Sequence, residues 1–231
     1  MNKMRMLGLA LLAIFALGAI AAMSASAALP VGLPVATQAN PVKFSDKSGP
    51  GSFDGASEVS CRTDTSSGEF LSTSLGNFSV LFERCEASRI ACTTLGTGQT
   101  SGTIRTTGEF HLVYLRRGTP PTVGIAFLIN EVHFECSSLV LVRVRGCAVG
   151  PVSPINTSVG TGGKYVVTLK RSGVKNEFTS FLNAAETGSV ECKLESALGS
   201  RGTFGQSGEE TVEEIEGFTQ GGSAVSTEIM A

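Results

Sequence analysis

The chain has no tryptophan, two tyrosines and two histidines. Sugar-binding surfaces draw on flat amphipathic aromatics, so Tyr114 and Tyr165 alone make carbohydrate recognition a disfavoured reading. His111 and His133 are far apart in sequence and no C-x-x-C pair occurs, which leaves structural zinc without ligands at a workable spacing. Each histidine falls in an apolar, strand-like run with no motif around it, and reads as a packing or hydrogen-bonding residue. A G-x-S-x-G elbow is missing too: the nearest string, Gly205-Gln206-Ser207-Gly208, breaks off at Glu209. His133-Phe134-Glu135 has the H-x-E of zinc deaminases without the P-C-x-x-C that supplies their remaining ligands. Neither Gly96-Thr97-Gly98 nor Gly160 with Gly162-Gly163 opens a helix or ends in Gly-Lys-Ser/Thr, so both read as loops. Asp46 opens a stretch with Ser48 and Gly51, but the twelfth position is Ser57 where an EF-hand needs Glu. No metal or cofactor is therefore expected.

What is present begins with a leader. Lys3 and Arg5 precede an apolar run from Met6 to Met23, and Ala25-Ser26-Ala27 offers a small-residue cleavage site. That is the layout of a secretory signal peptide over residues 1–27, and it outweighs the alternative of a permanent membrane anchor. No cysteine lies near the cleavage site to carry a lipid, so stable membrane insertion after cleavage is not expected. Removal of the leader takes away Lys3 and Arg5 and no acid, so 18 basic residues become 16 against 20 acidic ones, a net charge of −4. Five acids crowd together as Glu209, Glu210, Glu213, Glu214 and Glu216, and no comparable basic cluster exists, which argues against nucleic acid as a partner.

Residues 28–55 carry Leu29-Pro30, Leu33-Pro34, Asn40-Pro41 and Gly49-Pro50-Gly51, and read as a proline- and glycine-rich arm leading into the domain. Residues 56–231 read as a single all-β domain, an antiparallel sandwich or barrel, because short apolar or alternating runs are separated by Gly, Ser, Thr, Pro and Asn. The strand candidates are Phe78–Arg84, Thr103–Thr106, Glu109–Arg116, Thr122–Ile129, Val132–Cys136, Leu139–Arg145, Lys164–Lys170 and Val190–Leu194. In the sixth of these, Arg143 and Arg145 read as solvated charges on a wet sheet face. Of the thirteen phenylalanines, Phe78, Phe82, Phe110, Phe127 and Phe134 fall in strand candidates, and these with Phe70 read as core. Glycine makes up 28 of 231 residues, and tight turns are the simplest cause.

Six cysteines in an exported chain read as disulfides: Cys61, Cys85, Cys92, Cys136, Cys147 and Cys192, for which 15 connectivities exist.

Several strings carry a likeness. They are Val59-Ser60-Cys61, Phe78-Ser79-Val80-Leu81-Phe82 leading to Cys85, Cys92, Gly102-Thr103-Ile104 and Glu109 to Leu115. The most specific runs from Phe134-Glu135-Cys136 through Val142-Arg143-Val144-Arg145-Gly146 to Gly150-Pro151-Val152-Ser153-Pro154-Ile155-Asn156, followed later by Gly205-Gln206-Ser207-Gly208-Glu209-Glu210. From about Gly49 onward the chain resembles an expanded family of exported actinobacterial β-proteins. The resemblance implies secretion and an antiparallel β domain, and brings no activity, ligand or catalytic residue. It also implies that Cys61, Cys85, Cys92 and Cys136 match the family, whereas Cys147 and Cys192 depart from it and pair with each other. With sequence closeness added, the expected bridges are 85–92, 61–136 and 147–192.

The functional expectation is a non-catalytic structural or interaction protein, secreted or associated with the cell envelope, whose partner is extracellular or in the cell wall. The alternatives are a glycosidase-like hydrolase using carboxylates that strands bring together, or a ligand-binding β module. An exposed apolar patch would favour interaction, and a deep pocket with two convergent carboxylates would favour the enzyme. The leader makes one prediction: N-terminal sequencing of exported protein reads from Ala28, and a chain that keeps Met1 and stays with membranes through an alkaline wash would establish the anchor instead.

Overall fold

The fold was obtained as a computed structural model, which describes residues 29–96, 98–137, 140–183 and 188–231. The leader at 1–27, Thr97 of the first glycine string and Leu139 of the sixth strand candidate lie outside the described residues. Among the described residues there is no helix. The main strands are β1 (Val42–Ser48), β2 (Thr63–Phe70), β3 (Leu75–Glu83), β4 (Thr103–Arg116), β5 (Thr122–Glu135), β6 (Leu141–Ser153), β7 (Tyr165–Leu169), β8 (Leu194–Leu198) and β9 (Gly205–Gln220).

Each strand from β1 to β7 pairs antiparallel with the next, β7 pairs with β9, and β9 returns to β1. The result is a closed, eight-stranded antiparallel barrel with outer strands, the barrel alternative of the sequence reading. One stave is built from two pieces. β7 and β8 have 5 residues each, and both stand between β6 and β9: β7 meets β6 at Val152 and Ser153, while β8 meets it from Val142 to Gly146.

The two candidates Thr103–Thr106 and Glu109–Arg116 are halves of one strand, β4. Thr122–Ile129 and Val132–Cys136 likewise merge into β5, whose register shifts between Ile129 and Val132. A bulge of this kind bends the strand and breaks its alternation, which is why the sequence reads as two runs. Residues 28–55 also do more than lead in. They contribute Val31–Leu33, which pairs with Glu228–Met230, then β1, then Gly51–Asp54, which pairs with β9. Pro41 and Pro50 fall outside these strands, so the missing N–H groups cost no ladder bond.

Val42, Phe44, Asp46 and Ser48 of β1 are buried while Lys43, Ser45 and Lys47 are exposed, the period-two signature of a barrel wall. The apolar core contains Phe44, Phe78, Phe110, Tyr165 and Phe218, with Phe70 and Phe127 packed against it. Many glycines serve this core, so turns are not their only use. Phe44 lies opposite Gly68, which faces Phe78, which faces Gly108; in the neighbouring row Phe70 and Phe110 flank Gly76. A Cβ at Gly76 would run into the Glu69 carbonyl and the Phe110 ring. Rings laid over glycine on the adjoining strand let Phe44, Phe70, Phe78 and Phe110 coexist in a narrow barrel.

All six cysteines are bridged, as 61–85, 92–136 and 147–192. The expected 85–92 and 61–136 pairings are therefore corrected, and register explains why. Glu86–Ala87 and Ile90–Ala91 form a hairpin whose Glu86 also faces Ser60, while Thr93 faces Glu135. Continuing each ladder by one residue puts Cys61 beside Cys85 and Cys92 beside Cys136, with Cα separations of 4.0 Å in both bridges. Cys85 and Cys92 do stand across the hairpin, but they meet through the backbone, the Cys92 N–H donating to the Cys85 carbonyl at 2.9 Å. Three intramolecular disulfides mark a protein of an oxidising compartment.

Peptide mapping under non-reducing conditions is expected to recover the 61–85, 92–136 and 147–192 cross-linked peptides. Recovery of an 85–92 peptide would show that the hairpin ladder is set differently.

Candidate functional site

β9 was not among the strand candidates, and it carries the chemistry. Along it Ser207, Thr211, Glu213, Ile215 and Phe218 are buried, while Glu210, Val212 and Glu216 are exposed. The alternation is regular from Glu209 to Glu216, but most inward positions are polar, so by hydropathy the segment reads as a solvated acidic run. Pairing on both flanks nonetheless turns Glu209 and Glu213 toward the barrel interior.

There they meet two acids from other strands. Ser48 of β1 faces Asp64 of β2, and Asp46 is flanked by Ser66 and Ile215. Asp46, Asp64 and Glu213 are 5%, 0% and 7% exposed, and one carboxylate oxygen from each lies within 4.8 Å of the others. Ser48 Oγ is 2.9 Å from Asp46 Oδ2 and 3.3 Å from Glu213 Oε2, with a single proton to donate, and it accepts the Glu214 N–H at 3.1 Å. Thr211 donates its hydroxyl to Glu213 Oε1 at 3.2 Å, and Ser66 Oγ is 3.4 Å from Asp46 Oδ2. Both oxygens of Asp64 lack a hydrogen-bond donor. A bond between Asp64 and Glu213 exists only when one of the two carboxyls is protonated, since two carboxylates are both acceptors.

Burial pushes Asp64 up to about 7, helped by the charge of Asp46. Glu209, partly exposed, is pushed up to about 7 by desolvation and then by Asp64. Glu213 is held well above the usual carboxylate range by the same two causes, and Asp46 is raised by burial, with its hydrogen bonds opposing the shift. Among the described residues no lysine or arginine side chain contributes to any of the four shifts; Lys47 acts on Asp46 only through its backbone N–H. Such a group is stable in two ways: with protons shared among the acids, or with a cation among them.

The cluster borders a cavity of about 100 Å³ whose walls are mostly apolar, including Phe53, Phe78, Phe82, Ile104, Phe134 and Leu194. Gly51, Ser52 and Cys61 of the small outer sheet line both this cavity and a shallow groove outside it. The space is enough for several waters or one small molecule.

Other residues singled out by sequence lie elsewhere. His133 Nε2 is 2.8 Å from exposed Glu131, and His111 sits on the outward-facing register of β4. Arg143 and Arg145 are more than solvated charges: their guanidinium groups stack on Phe204 at 4.6 and 3.8 Å from the ring centre. Arg143 also donates to the Gly199 and Gly202 carbonyls at 2.9 and 2.8 Å, clamping the turn before β9. Asp46 and Ser48, which fail as an EF-hand loop, do meet in space, but on a strand wall.

The raised acids predict a pH dependence with a definite sign. Burial raises the Asp64 carboxyl from its ordinary value of 3.8, which holds in the unfolded chain, to about 7 in the folded one. The folded state therefore binds more protons between those limits, and the stability this gives is complete below about pH 4 and lost as pH rises through 7. In chelator-containing buffer the melting temperature is expected to be lower at pH 8 than at pH 5, and Asp64→Asn should flatten that slope. An unchanged slope in the variant would show that Asp64 is not the titrating group.

No family model, no curated protein and no solved structure matches the chain, so the functional reading rests on the barrel, its cavity and its acids.

Proposed function

We propose that the protein is an exported, non-catalytic β-barrel that binds a small, uncharged apolar molecule in its interior, acting outside the cell or in the cell envelope. The observation that carries this reading is the cavity of about 100 Å³ walled by phenylalanine and aliphatic side chains within a closed barrel. The leader, the three disulfides and the resemblance to exported actinobacterial β-proteins support export. The outward residues Lys43, Lys47, Arg105, Glu109, Glu210 and Glu216 are exposed, whereas a barrel lodged in lipid presents an apolar band there.

A hydrolase reading has one observation in its favour, the convergence of carboxylates beside a cavity. Two features weigh against it. Glycosidases hold their two carboxyls about 5–9.5 Å apart on either side of a sugar, while here the acids come within 4.8 Å of one another. An apolar chamber inside a barrel also leaves a polymer no groove to lie in and gives sugar hydroxyls few partners.

The test is a melting series with toluene and cyclohexane, together with a panel of chromogenic glycosides, esters and peptides. Toluene is expected to raise the melting temperature by a few degrees, and Ile104→Phe, which narrows the cavity, should reduce the rise. Turnover of a panel substrate that Glu213→Gln removes would establish the hydrolase, and an unchanged melt with both hydrocarbons would reject the binding reading.

A further inference from the structure

We infer that Asp46, Asp64 and Glu213 form a binding site for one calcium ion, held inside the barrel wall by β1, β2 and β9. Three strands that are neighbours around the closure bring one carboxylate each to a common point, with ligand oxygens within 4.8 Å of one another. Calcium–oxygen distances of about 2.3–2.6 Å place neighbouring ligand oxygens within that span. A second observation points to the ion independently. Asp64 is 0% exposed, one of its oxygens lies within 4.8 Å of the other two acids, and with all three ionised neither of its oxygens has a donor, although a buried acceptor normally has a partner. A cation is the partner that satisfies both oxygens at once.

The donor set selects among metals. It offers only oxygen, with Ser48 and Ser66 hydroxyls beside the carboxylates, so sulfur- and imidazole-seeking ions have nothing to prefer. Calcium accepts six to eight oxygens in a loose geometry, whereas magnesium requires a near-ideal octahedron. Three carboxylates fixed by strand register suit the former, and the adjoining cavity of about 100 Å³ supplies room for waters to complete the shell. Glu209 reaches the same interior and adds a fourth negative charge to its field. Among the described residues no lysine or arginine side chain acts on the cluster to take the ion's place. This inference is independent of the apolar-ligand reading, because its test uses the ion alone.

The experiment takes the mature, disulfide-intact chain, stripped with a chelator, at pH 7.5. Melting is followed in CaCl2, in MgCl2 and in NaCl of equal ionic strength, and CaCl2 is titrated by calorimetry. With an affinity in the range of extracellular calcium modules, a Kd of about 10⁻⁴ M, 10 mM calcium should raise the melting temperature by roughly 5–10 °C. Magnesium should raise it less, and calorimetry should give one ion per chain. Asp64→Asn should melt no lower than the stripped parent, having lost a buried unpartnered charge, and should not respond to calcium. Glu213→Gln provides the same readout if the first variant does not fold, and Glu216→Gln, on the exposed face, should respond like the parent. Calcium indistinguishable from NaCl with no heat of binding, or a full calcium response in both Asp64→Asn and Glu213→Gln, would overturn the inference and leave the acids as a proton-sharing group.

Discussion

The return of β9 to β1 is the pairing on which the rest of the molecule depends. It joins positions such as Ser48 and Glu213, 165 residues apart in sequence, and so carries a large share of the loop-closure cost of folding. Once made, it removes the sheet edges that an open meander would expose. It also divides every strand into an inner and an outer set of residues. A one-residue slip would turn Glu209 and Glu213 outward and bring Glu210 and Glu214 inward, so the register that closes the barrel also fixes which acids are buried. The divided stave is part of the same solution. β7 alone pairs with only a short stretch of β9, and β8 fills the gap toward the other end.

Much of the fold was legible because apolar strands announce themselves. Phe78 to Glu83, the two halves of β4 and the two halves of β5 all show dense β-branched and aromatic residues. β1 was hidden by the prolines around it, although Val42-Lys43-Phe44-Ser45 alternates cleanly. β9 was hidden for a different reason. A strand whose inward residues are Ser207, Glu209, Thr211 and Glu213 has the right period but the wrong polarity, and hydropathy cannot separate it from a solvated acidic run. The signal that could have found it was the alternation of Thr211, Glu213, Ile215 with Val212, Glu214, Glu216 between glycine-bearing turns. Asp46 and Ser48 were noticed together but as a loop, since positions two apart occur both in a calcium loop and on one face of a strand.

The cysteines show the same limit. Closeness in sequence favours 85–92, and these residues are in fact neighbours across a hairpin. But Cys85 has a second neighbour in Cys61 and Cys92 a second in Cys136. Choosing among them requires knowing which strands flank the hairpin, information that belongs to the closed sheet and not to any local string. Cys147 and Cys192 had no such competitors, and they are joined where β6 passes from β8 to β7.

A buried carboxylate without a counter-charge costs several kcal/mol, and well-packed apolar residues at the same positions would commonly be as stable or more so. The rest of this interior shows that the chain can supply such residues, since rings and aliphatic side chains line most of the cavity. Stability of the empty barrel therefore does not account for Asp46, Asp64 and Glu213 standing together on three strands. Nor does solubility, because Asp64 is 0% exposed. Buried acids of this kind, whether they share protons or hold a cation, mark places where a protein departs from the arrangement that packing alone would choose. The serine and threonine hydroxyls around the acids hold Asp46 and Glu213 in place and donate to neither Asp64 oxygen.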